Sequence, residues 1–187
     1  MNIGFCMTGS FCTFHRAEEV LKKLVEHGAQ VTPILSFNAA SLDTRFGTAA
    51  ELKFRLETLT GRSIIDSIPK AEPIGPKKMF DVLLVCPCTG NTLAKLAYGI
   101  TDTPVCMAVK SHVRNGRPVV IAVATNDGLS GSGKNIGHLL NYKNMYFVPL
   151  SQDDPENKPR SLVADFTKVE DTIRLALEGK QLGPIFF

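Results

Sequence analysis

The stretch that most limits how this chain can fold is FDVLLVCP, residues 80–87, a nearly continuous apolar run that opens into Thr89, Gly90, Asn91 and Thr92. A strand with no hydrophobic/polar alternation is buried on both faces, as in the middle of a parallel sheet covered by helices on each side. The rest of the chain must then supply alternating strands and helices. NIGFCM (2–7) reads as a strand ending at Thr8, Gly9 and Ser10, after which Ala17, Val20, Leu21 and Leu24 recur at helical spacing up to Gly28. QVTPILS (30–36) is a second strand, with Pro33 placing it near an edge or at a bulge. Leu52, Leu56 and Leu59 share one face of a helix that includes 48–59 and stops at Gly61. The three prolines of PKAEPIGPKK (69–78) predict an irregular connection. Helices follow over 91–98 and 104–113, then a buried strand RPVVIAVAT (117–125) and a last strand MYFVPL (145–150). A helix over 165–178 closes the chain, with Phe166, Val169, Ile173 and Leu177 toward the core. This order predicts an α/β fold, a doubly wound parallel sheet in three layers, built as one domain over residues 1–187.

Charge and cysteine usage narrow the function classes. Twenty-one Lys and Arg against 18 Asp and Glu give a net charge of +3, scattered rather than gathered into a basic face, so nucleic acid is not an expected partner. No apolar stretch approaches the ~20 residues that span a bilayer, and the N-terminus reads as a strand rather than a signal sequence, so no membrane partner and a cytoplasmic location are expected. Five cysteines, at 6, 12, 86, 88 and 106, are an odd number set largely in apolar runs, which reads as free thiols in a reducing compartment. The Cys86-Pro87-Cys88 spacing is not that of a zinc knuckle, and the histidines at 15, 27, 112 and 138 are dispersed, so no metal site is expected. A nucleophilic thiol would need an activating base, and the 86–92 turn holds none.

Ligands of open α/β sheets bind beyond the carboxyl ends of the strands, where helix N-termini present free N–H groups. Four loops therefore carry the functional reading: 8–13, 36–41, 87–92 and 125–135. In the first, Gly9 allows a tight turn, and Ser10 either caps the next helix, the reading favoured from the residues alone, or bonds a phosphate oxygen. Ser36, Asn38 and Ser41 offer the same choice between turn chemistry and a ligand. Gly128, Gly133 and Lys134 imitate a phosphate-binding P-loop, but Asn135 stands where that motif needs a Ser or Thr for Mg²⁺. The 125–135 segment is thus expected to be a flexible Gly-rich loop closing over a ligand, with Lys134 placed to meet an anion.

Read together, TGS after the first strand, PCTGNTLAKLAYGITD after the central one and the polar segment around Asn126 resemble the flavoprotein family of FMN-binding cysteine decarboxylases and flavin prenyltransferases. The family's P-x-[ST]-x-N-T turn and its A-K-x-A-x-G-I-[AT]-D helix are matched at 87–92 and 94–102. The resemblance implies that Gly9, Ser10, Ser36 and Asn38 hold the FMN phosphate, and that Thr89, Asn91 and Thr92 contact the flavin and ribityl chain. It also implies a homo-oligomer built on trimers. The chain lacks the decarboxylases' catalytic His, where it reads EPIGP (72–76), and their clamp Cys, where it reads DDPENKP (153–159), so cysteine decarboxylation is not expected.

Segments such as ATNDGLSGSGKNIGHLLN and DDPENKPRSLVADF extend the likeness along the whole chain, toward a branch of the family that serves spore formation. That branch supplies one of the two kinds of polypeptide that together oxidise dihydrodipicolinate to dipicolinate. The other, a partner with a nicotinamide-binding domain, holds NAD(P), and the mother-cell cytoplasm is the implied compartment. A dianionic substrate requires cations and N–H donors at a strand-exit mouth, for which Asn126, Lys134, Lys158 and Arg160 are the candidates. No catalytic residue is assigned. The alternatives are an independent FMN enzyme, or a non-catalytic protein that stabilises the nicotinamide-binding partner.

Overall fold

The computed structural model describes residues 1–187. Its strands are β1 (Asn2–Met7), β2 (Gln30–Leu35), β3 (Val82–Cys88), β4 (Val119–Thr125), β5 (Met145–Phe147), β6 (Leu150–Ser151) and β7 (Leu162–Ala164). Its helices are α1 (Phe14–Glu26), α2 (Phe37–Ser41), α3 (Ala49–Thr60), α4 (Ile68–Ala71), α5 (Gly90–Ala97), α6 (Pro104–Val113), α7 (Gly133–Leu140) and α8 (Val169–Leu177). The sheet runs in the order β2-β1-β3-β4-β7-β6, with β5 paired to β4. β3 is buried at all seven positions, as its unbroken apolar run requires. One core of 26 buried residues and another of 24 lie on opposite faces, so neither face of the sheet is open. This is the expected three-layer α/β fold, with β2 at an edge.

The sheet is nevertheless mixed rather than purely parallel. β1, β2, β3, β4 and β5 pair in parallel, whereas β7 pairs antiparallel with both β4 and β6. The expected last strand, 145–150, divides at Pro149. Proline has no N–H to continue the ladder, so β5 stops at Phe147 and Leu150 starts β6 against β7. The upper end of β4, at Ala124 and Thr125, takes β7 as its partner instead.

Three local expectations need correction. The 69–78 connection is not wholly irregular: Ile68–Ala71 is a short helix with proline in its first turn, and Glu72–Ile74 adds a 3₁₀ turn. Proline is favoured at a helix start because the missing N–H would have had no partner there. Leu177 is 45% exposed, since it sits in the last turn of α8, beyond the reach of the sheet. Leu59 is only half-buried and packs at the margin of the core formed by Leu52 and Leu56. The C-terminal tail returns to the sheet: the Gln181 side chain donates to Phe147 O and accepts from Phe147 N, and Leu150 N donates to Ile185 O.

Candidate functional site

The carboxyl ends of β1, β3 and β4 converge, and the first two exit loops are joined by one buried side chain. Thr8 Oγ1 donates to Pro87 O at 2.8 Å and accepts from Thr89 N at 3.0 Å, while Thr8 N also donates to Pro87 O. The register of β3 against β4 shifts between Val85 and Cys88, which turns the end of β3 toward this junction. Thr89 then caps α5 by accepting from Thr92 N at 3.3 Å, and its hydroxyl lies 3.1 Å from that of Thr92. Gly90, at the first position of α5, meets the β4 loop so closely that a Cβ would lie 2.4 Å from Ser132 Oγ and 2.7 Å from Thr125 Oγ1. No other residue fits that approach.

The loops enclose a cleft of about 440 Å³ with Gly9, Ser10, Thr89, Gly90, Thr125 and Asn126 among its lining residues. Three cations stand around it: Arg16 from the first turn of α1, Arg45 from the α2–α3 loop and Lys158 from the β6–β7 loop. Asp153 also reaches the cleft, and its carboxylate pairs with Lys158 Nζ at 3.1 Å. That hydrogen bond raises the Lys158 pKa above its ordinary value. A second cavity of about 370 Å³ adjoins, separated by Phe11, Cys12 and Phe46, which line both.

Of the residues singled out in the sequence, Gly9, Ser10, Thr89, Asn126 and Lys158 line the cleft. The Ser10 side chain makes no capping hydrogen bond; its backbone oxygen accepts from Thr13 instead, which leaves the hydroxyl free. The preference for capping at Ser10 is therefore overturned. Asn38 lies beside Gly9, its Cβ 3.5 Å from where a Gly9 Cβ would stand. Ser36 caps α2 by accepting from Ala39 N at 3.3 Å. Asn91 is exposed on α5 and Thr92 is buried beneath it. Lys134 and Arg160 are exposed and do not line the cleft. Arg16 and Arg45 went unnoticed in the sequence, because neither sits in a strand-exit motif; only the fold carries them to the mouth.

The Gly-rich 125–135 segment is pinned rather than free to swing. Thr125 Oγ1 donates to Asp127 Oδ1 at 2.6 Å, and this bond holds the Asp127 carboxyl below the usual carboxylate range. Leu129 N donates to Arg160 O at 2.9 Å, and Gly128 lies so near Leu162 that a Cβ would come within 2.6 Å of it. The buried thiols are not activated either. Cys6, Cys86 and Cys88 are fully buried, and desolvation pushes all three well above the ordinary thiol range. Cys12 is the one exposed thiol.

The geometry thus sets the unspent Ser10 hydroxyl and the N-terminal end of α5 at the strand exits, facing a cationic rim. The flavoprotein family model matches residues 1–168. The chain belongs to the flavoprotein family. It is 48% identical to the B subunit of dipicolinate synthase from Bacillus subtilis (strain 168), over 98% of this chain and 92% of that protein. The crystal structure of the B subunit of dipicolinate synthase from Bacillus halodurans C superposes with a TM-score of 0.91 at 43% identity, covering 100% of this chain and 95% of that one. A dodecameric FMN-dependent UbiX-like decarboxylase from Escherichia coli O157:H7 shares the fold at a TM-score of 0.62 and 21% identity, over 80% of each chain.

Proposed function

We propose that this flavoprotein acts as one subunit of a two-subunit oxidoreductase that converts dihydrodipicolinate to dipicolinate, with NAD(P) held by the partner subunit. The observation that carries the reading is the likeness to the B subunit of dipicolinate synthase along 98% of the chain. The reaction removes a hydride and a proton from the dihydro ring; the hydride goes to the nicotinamide and the proton to water, leaving an aromatic dicarboxylate. This chain's part is to bind and orient. Asn126 and Lys158 line the cleft as substrate contacts, whereas Lys134 and Arg160 would have to reach it from the exposed loops that flank it.

The cleft also fits FMN. Gly9 and the unspent Ser10 hydroxyl, with Ser36 and Asn38 beside them, would hold the phosphate; Thr89, Asn91 and Thr92 at the start of α5 would face the ribityl chain and ring. Bound there, the flavin would supply a two-electron acceptor. An oligomer built on trimers is proposed from the family resemblance, and a dodecameric relative of this fold is in keeping with it.

The test is an absorbance titration of the apo protein with FMN, followed by mixing with the NAD(P)-binding subunit and dihydrodipicolinate. Saturable flavin binding and NAD(P)H formation only in the mixture are expected. NAD(P)H formation by the partner alone at the same rate would remove this chain from the reaction.

A further inference from the structure

Most charged side chains of this protein are explained by a neighbour. The arginines that form ion pairs are Arg55 with Glu18, Arg117 with Asp81 and Arg174 with Asp171. Arg16 and Arg45 are not among them, and both line the cleft at the strand exits. Each guanidinium is instead set over an aromatic ring: Arg16 lies 4.7 Å from the centroid of Phe166, and Arg45 lies 4.8 Å from that of Phe46. Stacking of this kind orients the planar fork while leaving its N–H groups unspent. Together with Lys158 they bring three positive charges to a cleft whose one carboxylate, Asp153, is paired with that lysine.

We infer that Arg16 and Arg45, with Lys158, select a ring-borne dicarboxylate by engaging its two carboxylates from separate elements around the cleft. This inference rests on the proposed oxidation of dihydrodipicolinate. Two features favour a dicarboxylate over a phosphate. The cations come from three separate elements, the α1 start, the α2–α3 loop and the β6–β7 loop, which suits two charges held apart rather than one compact anion. At the end of β1 the uncapped Ser10 hydroxyl beside Gly9 gives the same cleft a place of its own for a phosphate. Guanidinium forks match carboxylates by paired hydrogen bonds, so a monocarboxylate would forfeit one of the cationic contacts.

Isothermal titration calorimetry on the purified protein tests this, with pyridine-2,6-dicarboxylate, pyridine-2-carboxylate and inorganic phosphate as probes. Wild type should bind the dicarboxylate at least about tenfold more tightly than the monocarboxylate, the scale of one charge-assisted contact. Arg16→Gln and Arg45→Gln should each weaken the dicarboxylate about tenfold, and the Lys replacements should recover part of the loss. FMN titrations of the same variants should shift less than dicarboxylate binding does, and thermal melts should match wild type, since both side chains are exposed. Equal dicarboxylate affinity in wild type and Gln variants would overturn the inference, as would the absence of dicarboxylate binding to wild type. Loss of phosphate and FMN binding together with the dicarboxylate would also overturn it, by making the arginines part of the cofactor-phosphate site. Failure of the parent reading would show elsewhere, as no activity with the partner subunit while the dicarboxylate still binds through the two arginines.

Discussion

Thr8 carries more of the site than its place in a short turn indicates. It is 1% exposed, and its single hydroxyl both donates to Pro87 O and accepts from Thr89 N, so it ties the first strand exit to the start of α5. Replacing it with valine keeps the shape and removes both bonds, which strips the Thr89 N–H of its partner and leaves Pro87 O with the Thr8 N–H alone. Thr8→Val should therefore cost roughly 1–3 kcal/mol in urea unfolding. FMN titration of the same variant should show weaker binding, because Thr89 and Gly90 lose the tie that sets their distance from Gly9. A destabilised variant with wild-type FMN affinity would place the latch outside the binding function. Residues of this kind explain why the family turn is so specific: Thr89 caps the helix, Gly90 admits the β4 loop, and Thr8, at the exit of the neighbouring strand, fixes both.

At the level of elements, helix α3 shows how a local rule becomes a measurable quantity. Thr48 accepts from Glu51 N, and the Glu51 carboxylate accepts from Thr48 N, a reciprocal cap that also holds the Glu51 carboxyl below its ordinary range. Thr48→Ala should lower stability by about 1 kcal/mol in chemical denaturation; no change would mean that packing of Leu52 and Leu56 alone fixes the helix. The same kind of signal made much of the fold readable. Long apolar runs marked β3 and β4, Pro33 marked β2 as peripheral, and periodic leucines marked α1 and α3. The short antiparallel strand β7 was not readable, because three residues show no periodicity and its partners, Ala124 and Leu150, are set by the fold rather than by sequence neighbours. The cleft divides in the same way. Its floor follows from strand-exit motifs, whereas Arg16 and Arg45 come from a helix and a loop whose place above that floor depends on how α1, α2 and α3 pack.

Taken as a whole, the molecule should be acid-sensitive for an identifiable reason. His112, in the last turn of α6, is buried with Nε2 3.1 Å from Pro118 O, and burial pushes its pKa down to about 4. In the unfolded chain the same residue titrates near ~6.5. Between these values the unfolded state binds a proton that the native state refuses, so stability is full above about pH 6.5 and falls as pH drops toward 4. The slope from this residue is at most about 1.4 kcal/mol per pH unit. Melting temperatures between pH 7 and pH 4.5 should fall less steeply in His112→Gln than in wild type; parallel profiles would assign the acid sensitivity to the carboxylates. No helix is long and apolar enough to cross a membrane. The returning tail has a second meaning. By occupying the backbone N–H and C=O of Phe147 and the N–H of Leu150, Gln181 and Ile185 stand where another strand would otherwise add. The last residues thus act as a guard on an adhesive margin of the sheet, and a chain clipped ahead of Gln181 would present a template for strand-by-strand aggregation in place of a closed border.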